Sequence, residues 1–180
     1  AWDYMKQFTD KIPYIKFNET ELRVDLPNGS RITLLGSDSP DGLRGIYLDG
    51  CVIDEYANVN SKLFPEIIRP ALSDRKGYCV FIGTPQGMNN NFYELYQHSQ
   101  GAEDWFNYKA KASETKIVDP DELVKAKEVM GEKKYNQEFE CDWIANIEGA
   151  VFGDVIGKLD DQKQLTRVPY DPALPVSTAW

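Results

Sequence analysis

Histidine is almost missing from this sequence. His98 stands alone, which rules out a metal cage built from imidazoles. Cysteine is nearly as scarce: Cys51, Cys79 and Cys141 are odd in number and far apart, so neither a disulfide framework nor a zinc site is expected. Two of them lie in apolar strand-like runs, "CVID" and "YCVFIG", and read as buried thiols of a reducing compartment. No run of about 18 apolar residues occurs and no signal peptide opens the sequence, so a secreted or membrane-spanning protein is not expected. A surplus of positive charge is absent too. The formal net charge is -9, and residues 119 to 161 hold 12 acids against 5 lysines. Contact with nucleic acid would therefore come from a local patch or another domain, and the acidic stretch reads first as solvated helix faces. There is no initiating methionine either. The opening "AWDYMKQF" has the pattern of a helix met midway, and a fragment is expected.

What remains is the composition of a folded protein. Hydrophobic residues make up 42% of the 180 and aromatics 12%, enough for one main domain with some extension. Trp2, Met5, Phe8 and Ile12 recur at helical spacing up to Pro13. The period then changes to two: "ELRVDL", the turn "PNG" and "SRITLLG" predict a hairpin with one wet face at a sheet edge. A Gly, Asp, Ser and Pro-rich loop spans 37 to 45. Beyond it, two continuous apolar runs, ending at Asp54 and at Gly83, enclose a helical pattern over 61 to 72. That order predicts a βαβ unit whose parallel strands are covered on both faces, and hence an α/β class. Further on, a short aromatic helix is expected over 90 to 99 and a strand over "WFNYKAKAS". A helix opens at "DPDEL" with Asp119 as its cap and ends at Gly131, and another carries Tyr135, Phe139 and Trp143. From Gly149 the chain reads as a linker.

The chemistry gathers at "GCVIDEYA", residues 50 to 57. Two adjacent carboxylates at the end of a buried strand repel each other unless a cation lies between them. In open α/β sheets ligands bind beyond the carboxyl ends of the strands, where Asp54 and Glu55 fall. Such a pair suits a nucleotide triphosphatase, in which one acid organises magnesium and the next orients or deprotonates water. Acids at exposed strand ends are common, so the pair alone is a weak signal. Three neighbours strengthen it: Thr84 in "GTPQG" after the companion strand, Arg44 between two glycines in "GLRG" upstream, and the order in which these occur. The plainer reading of Arg44 is a loop arginine paired with Asp38 or Asp41.

"GLRGIYLDGCVIDEYANV", "FIGTPQGMNNNFYELY" and "NQEFECDW" together resemble the motor domain of the large terminase subunit of tailed bacteriophages, from the hairpin to about residue 148. The resemblance implies a P-loop NTPase-like α/β fold, a mainly parallel sheet flanked by helices with an edge hairpin. It implies ATP and Mg2+ as cofactors and gives each site residue a role. Asp54 matches the Walker B aspartate on magnesium and Glu55 the catalytic glutamate. Thr84 matches the coupling segment that senses the γ-phosphate, and Arg44 the place of an arginine finger offered to a neighbouring subunit. Double-stranded DNA, the portal protein, the small terminase subunit and a homo-oligomeric ring are the implied partners, in the host cytoplasm at the procapsid. Implied domains are residues 1–148 as the C-terminal portion of the ATPase domain, 149–170 as a linker and 171–180 as the first strand of a nuclease domain.

One departure from the family stands out. A P-loop enzyme needs a glycine-rich loop closing on Lys-Ser or Lys-Thr, and the sequence holds none. "GDVIGKL" at 153 to 159 has only three residues between its glycines and ends in Leu159 where a hydroxyl is required. In the family this loop precedes the region seen here, so truncation explains its absence, and the polypeptide alone is expected to be inactive. Two other readings stay open: a P-loop motor of the "DE" helicase type, and a non-enzymatic α/β interaction module.

Overall fold

The computed structural model describes residues 1–38, 40–144, 159, 162 and 164. The chain divides into two compact units, Ala1–Ile82 and Gly83–Trp180. Apart from 159, 162 and 164, the expected linker over 149–170 lies outside the described residues, as does the strand at "VSTAW".

The first unit opens with helix α1 (Trp2–Thr9), then three short antiparallel strands, β1 (Lys16–Asn18), β2 (Arg23–Asp25) and β3 (Arg31–Thr33), in the order β1-β2-β3. Val24 pairs with Phe17 on one side and Ile32 on the other and is fully buried, so the alternation in "RVD" sets which face turns inward. The predicted hairpin is β2–β3. Gly29 at φ 85° supplies the left-handed turn residue, and Asn28 Oδ1 accepts from the Ser30 amide at 3.0 Å. Its place differs from expectation: the hairpin takes β1 as third strand in a sheet of its own instead of edging the parallel one. The loop between Asn18 and Arg23 is short enough to return the chain antiparallel, and Asn18 Oδ1 holds it by accepting from the Thr20 and Glu21 amides. Glu19 in that loop anchors α1, accepting from Trp2 Nε1 at 2.6 Å and from Lys6 Nζ at 3.2 Å.

The parallel pair is β4 (Gly50–Ile53) and β5 (Tyr78–Phe81), in register from Gly50↔Tyr78 to Ile53↔Phe81. Between them runs the predicted helix, in two parts: a π-helical turn over Leu63–Ile68 that continues as α2 (Arg69–Ser73). The π-helical turn buries Leu63, Ile67 and Ile68 together. Leu72, 2% exposed, completes this core with Ile53 and Tyr56. The inward face of the pair carries Cys51, Ile53, Cys79 and Phe81. Its other face, with Val52, Tyr78, Val80 and Ile82, is exposed. The expectation of cover on both faces therefore fails for the described residues. The same alternation leaves Cys51 and Cys79 half-buried and not fully enclosed.

Among its described residues the second unit carries the helices α3 (Asn91–Ser99), α4 (Ala112–Thr115), α5 (Pro120–Met130) and α6 (Glu132–Phe139). Asp119 caps α5 as read from sequence, its Oδ1 accepting from the Asp121 amide at 2.8 Å, and Gly131 separates α5 from α6. The strand expected at "WFNYKAKAS" does not form. Asn107 is tied instead to the end of α3, exchanging hydrogen bonds with Ser99 Oγ (2.6 Å) and the Ser99 carbonyl (3.1 Å). Phe106 and Tyr108 stay exposed, so alternation there has no partner strand to serve. Trp143 lies past the end of α6 and packs on Phe92, Tyr93 and Tyr96 of α3, with ring centroids 5.2–5.4 Å away.

Candidate functional site

Asp54 and Glu55 follow directly on β4, at its carboxyl end, and both are exposed. The backbone beneath them is fixed on both sides. The Ile82 amide donates to the Ile53 carbonyl at 2.9 Å and the Tyr56 amide to the Ile82 carbonyl at 3.1 Å, extending the parallel ladder past the acidic pair. Tyr56 itself is 3% exposed and meets Phe81 edge-on at 4.7 Å, as Phe64 does from the π-helical turn. An aromatic trio, with Tyr56 buried and Phe64 and Phe81 half-buried, thus lies beside two solvated carboxylates.

Glu55 has a left-handed backbone, φ 53° and ψ 39°. For a residue with a Cβ this conformation costs on the order of 1–2 kcal/mol and persists only where the surroundings impose it. The Tyr56–Ile82 bond imposes it here. Two side-chain contacts complete the turn: Asp54 Oδ1 accepts from the Glu55 amide at 2.9 Å, and Asn58 Nδ2 donates to Glu55 Oε2 at 3.1 Å. Neither the strain nor Asn58 was read from the sequence. The only trace is an asparagine three residues after the glutamate in "DEYAN".

Arg44 follows a 3-10 turn over Pro40–Leu43 and stands 3.8 Å from Glu66 Oε2 of the π-helical turn. It borders a cleft of about 290 Å³ whose lining also includes Tyr47, Glu66, Pro70 and Asp74. Neither Asp54 nor Glu55 lines that cleft among the described residues. Its partner Glu66 comes from the following helix, a contact that the expected pairing with Asp38 or Asp41 in the loop did not include.

Thr84 belongs to the second unit and is half-buried. Gln86 Nε2 donates to its Oγ1 at 3.4 Å, and Gln137 Nε2 of α6, 7% exposed, donates to Gln86 Oε1 at 3.0 Å. Asn90 fastens the same loop from the other end. Its amide group donates to the carbonyls of Gln86 (3.1 Å) and Gly87 (2.8 Å), while its Oδ1 accepts from the Phe92 and Tyr93 amides at 3.0 Å. Gln86 and Gln137 sit in the two stretches "FIGTPQGM" and "NQEFECDW"; the link between them was not legible in either.

For a divalent cation, no group of three or more His, Cys, Asp or Glu side chains is assembled among the described residues. Magnesium does not demand one. It binds through one or two carboxylates together with phosphate oxygens and water, and adjacent exposed carboxylates fit that donor set. No described helix is long and apolar enough to cross a membrane.

No family model matches the sequence. Curated relatives do: the large terminase subunits of Thermus phage G20c and Thermus virus P23-45 are each 43% identical over 60 residues, 33% of this chain and 12% of theirs. The chain thus spans about an eighth of the length of the relatives it matches. Among solved structures, the large terminase ATPase domain of Thermus phage P74-26 superposes with a TM-score of 0.52 at 19% identity, over 78% of this chain and 68% of that one. The large terminase of another thermophilic bacteriophage gives 0.63 at 15% identity, over 77% and 36%, and was also solved with ADP, at 0.63 and 14%. Over 60 residues the sequence is similar to bacteriophage large terminase subunits, and over more than three quarters of its length the chain has the fold of their ATPase domain.

Proposed function

We propose that this chain is part of the ATP-hydrolysing motor that drives viral DNA into a procapsid, and that Asp54 and Glu55 do its chemistry. The observation that carries the reading is the acidic pair at the carboxyl end of a parallel strand, with Glu55 held in a left-handed turn by its neighbours. Strain of this kind collects at reacting centres because a relaxed turn would aim the side chain elsewhere.

Asp54 offers carboxylate oxygen to magnesium, directly or through water. Bound there, the ion would supply positive charge to offset that of a triphosphate. Glu55 takes the proton of the attacking water or orients it, and Asn58 limits its rotation through Oε2. Arg44 serves a neighbouring subunit in a ring, where a guanidinium stabilises charge on the transferred phosphoryl by roughly a thousandfold or more in rate. The exposed position of Arg44 supports a role in trans. Thr84 senses the γ-phosphate and passes its state through Gln86 to Gln137. The phosphate loop, which the 180 residues do not hold, and the endonuclease activity are proposed for the full-length protein. Double-stranded DNA, the portal and the small subunit are the partners of that whole assembly.

Replacing Glu55 with Gln in the full-length protein tests the reading. Nucleotide binding stays intact and turnover falls by roughly 10²–10⁴-fold. Hydrolysis at the parent rate removes Glu55 from the mechanism.

A further inference from the structure

Cys51 and Cys79 are direct partners across the parallel pair β4–β5, on the face that also carries Ile53 and Phe81. Both are free thiols and half-buried. Paired strands run about 4.8 Å apart, inside the Cα separation of roughly 4.4–6.8 Å that a disulfide spans. The ATPase chemistry proposed above makes no use of either group.

We propose that Cys51 and Cys79 form a vicinal dithiol that reacts as a unit with low-molecular-weight disulfides and closes into a bond stapling β4 to β5. Cys51 attacks first. The Cys79 thiol across the pair lowers its pKa below that of an ordinary thiol, while Cys51 and burial raise that of Cys79. The Cys51 thiolate bonds to one sulfur of the small disulfide, whose S–S bond breaks. The departing thiolate takes up a proton. Cys79 then gives up its proton and attacks the Cys51 sulfur, and the second small thiol leaves. Two cysteines are oxidised and one small disulfide is reduced to two thiols. The staple closes the chain from β4 to β5 around the acidic turn at 54–55, so a small oxidant acts on the strand pair that carries it. None of this depends on the ATPase reading.

The test uses the native full-length protein with excess glutathione disulfide, followed by alkylation and peptide mapping without reduction. The expected product is a Cys51–Cys79 linked peptide, two hydrogens lighter than the reduced pair and released by dithiothreitol. Cys79→Ser should stop at a lasting glutathione adduct on Cys51, and Cys51→Ser should slow reaction at Cys79 roughly tenfold. Cys141, whose thiol burial pushes up in pKa, is the internal comparison. Separate lasting adducts on Cys51 and Cys79, or no reaction at either, overturns the proposal. Should the serine variants misfold, phenylarsine oxide on the unaltered protein decides: one arsenic bridging both peptides supports the dithiol, and a single-site adduct or none refutes it.

Discussion

Glu55→Gly and Glu55→Ala differ by a single methyl group, yet they should separate stability from activity at the acidic turn. Both remove the carboxylate and the 3.1 Å bond from Asn58, so any difference between them isolates the Cβ at φ 53°. Alanine keeps the left-handed strain of about 1–2 kcal/mol. Glycine relieves it but brings extra unfolded-state freedom, which offsets about 0.5–1 kcal/mol. The glycine variant should therefore be the more stable by roughly 0.5–1 kcal/mol, although glycine is the poorer residue at most positions. Urea midpoints of the two proteins, compared at unchanged m-value, measure the gap. Both variants should lack ATP turnover. An alanine variant as stable as the glycine one, or more so, would show that Glu55 is relaxed in solution, and the case for an imposed turn would go with it.

Arg44→Ala should abolish hydrolysis alone and regain part of it when mixed with a Glu55→Gln protein, since each supplies what the other lacks; no rescue in the mixed assembly assigns Arg44 to its local contact with Glu66. Gly77→Ala should destabilise by about 1–3 kcal/mol, because a Cβ there meets the Asp49 carbonyl oxygen at 2.7 Å and Leu72 Cδ2 at 2.8 Å, and backbone cannot step aside. Gly50→Ala, by contrast, meets the ring of Tyr78, which is exposed and can swing outward, so thermal melting should move little. Glu19 titrates below the ordinary carboxylate range, first through the Trp2 indole bond and then through Lys6. The unfolded chain therefore binds its proton more readily, so this contribution is present above about pH 4.5 and is lost as the pH falls through the lower folded value. Protection factors over residues 2–9, with exchange normalised to the intrinsic rate at each pH, should fall with acidification in that range, and Glu19→Gln should flatten the response.

Element type was legible where periodicity and caps agreed. The Asp119 cap, the apolar runs of β4 and β5 and the helix over 91–99 follow from local chemistry alone. Alternation at 105–113 misled because a strand also needs a partner, and Asn107 bonds to Ser99 instead. The π-helical turn is not legible in the sequence because Leu63, Ile67 and Ile68 fit the apolar face of an ordinary helix as well as that of the wider turn. Asp54, Glu55, Arg44 and Thr84 announced themselves as residue types beside glycines and strand ends. Asn58, Gln86 and Gln137 did not, because side-chain amides gain their meaning from partners up to 51 positions away.

Asn90 has two tasks of opposite polarity, and only a carboxamide can perform both. An aspartate would still receive the amides that begin α3 but would push away the carbonyls of Gln86 and Gly87; a serine could not reach in both directions at once. Exchanging one NH2 for an oxygen would thus loosen the threonine loop while leaving the helix start intact, a way to alter the two independently.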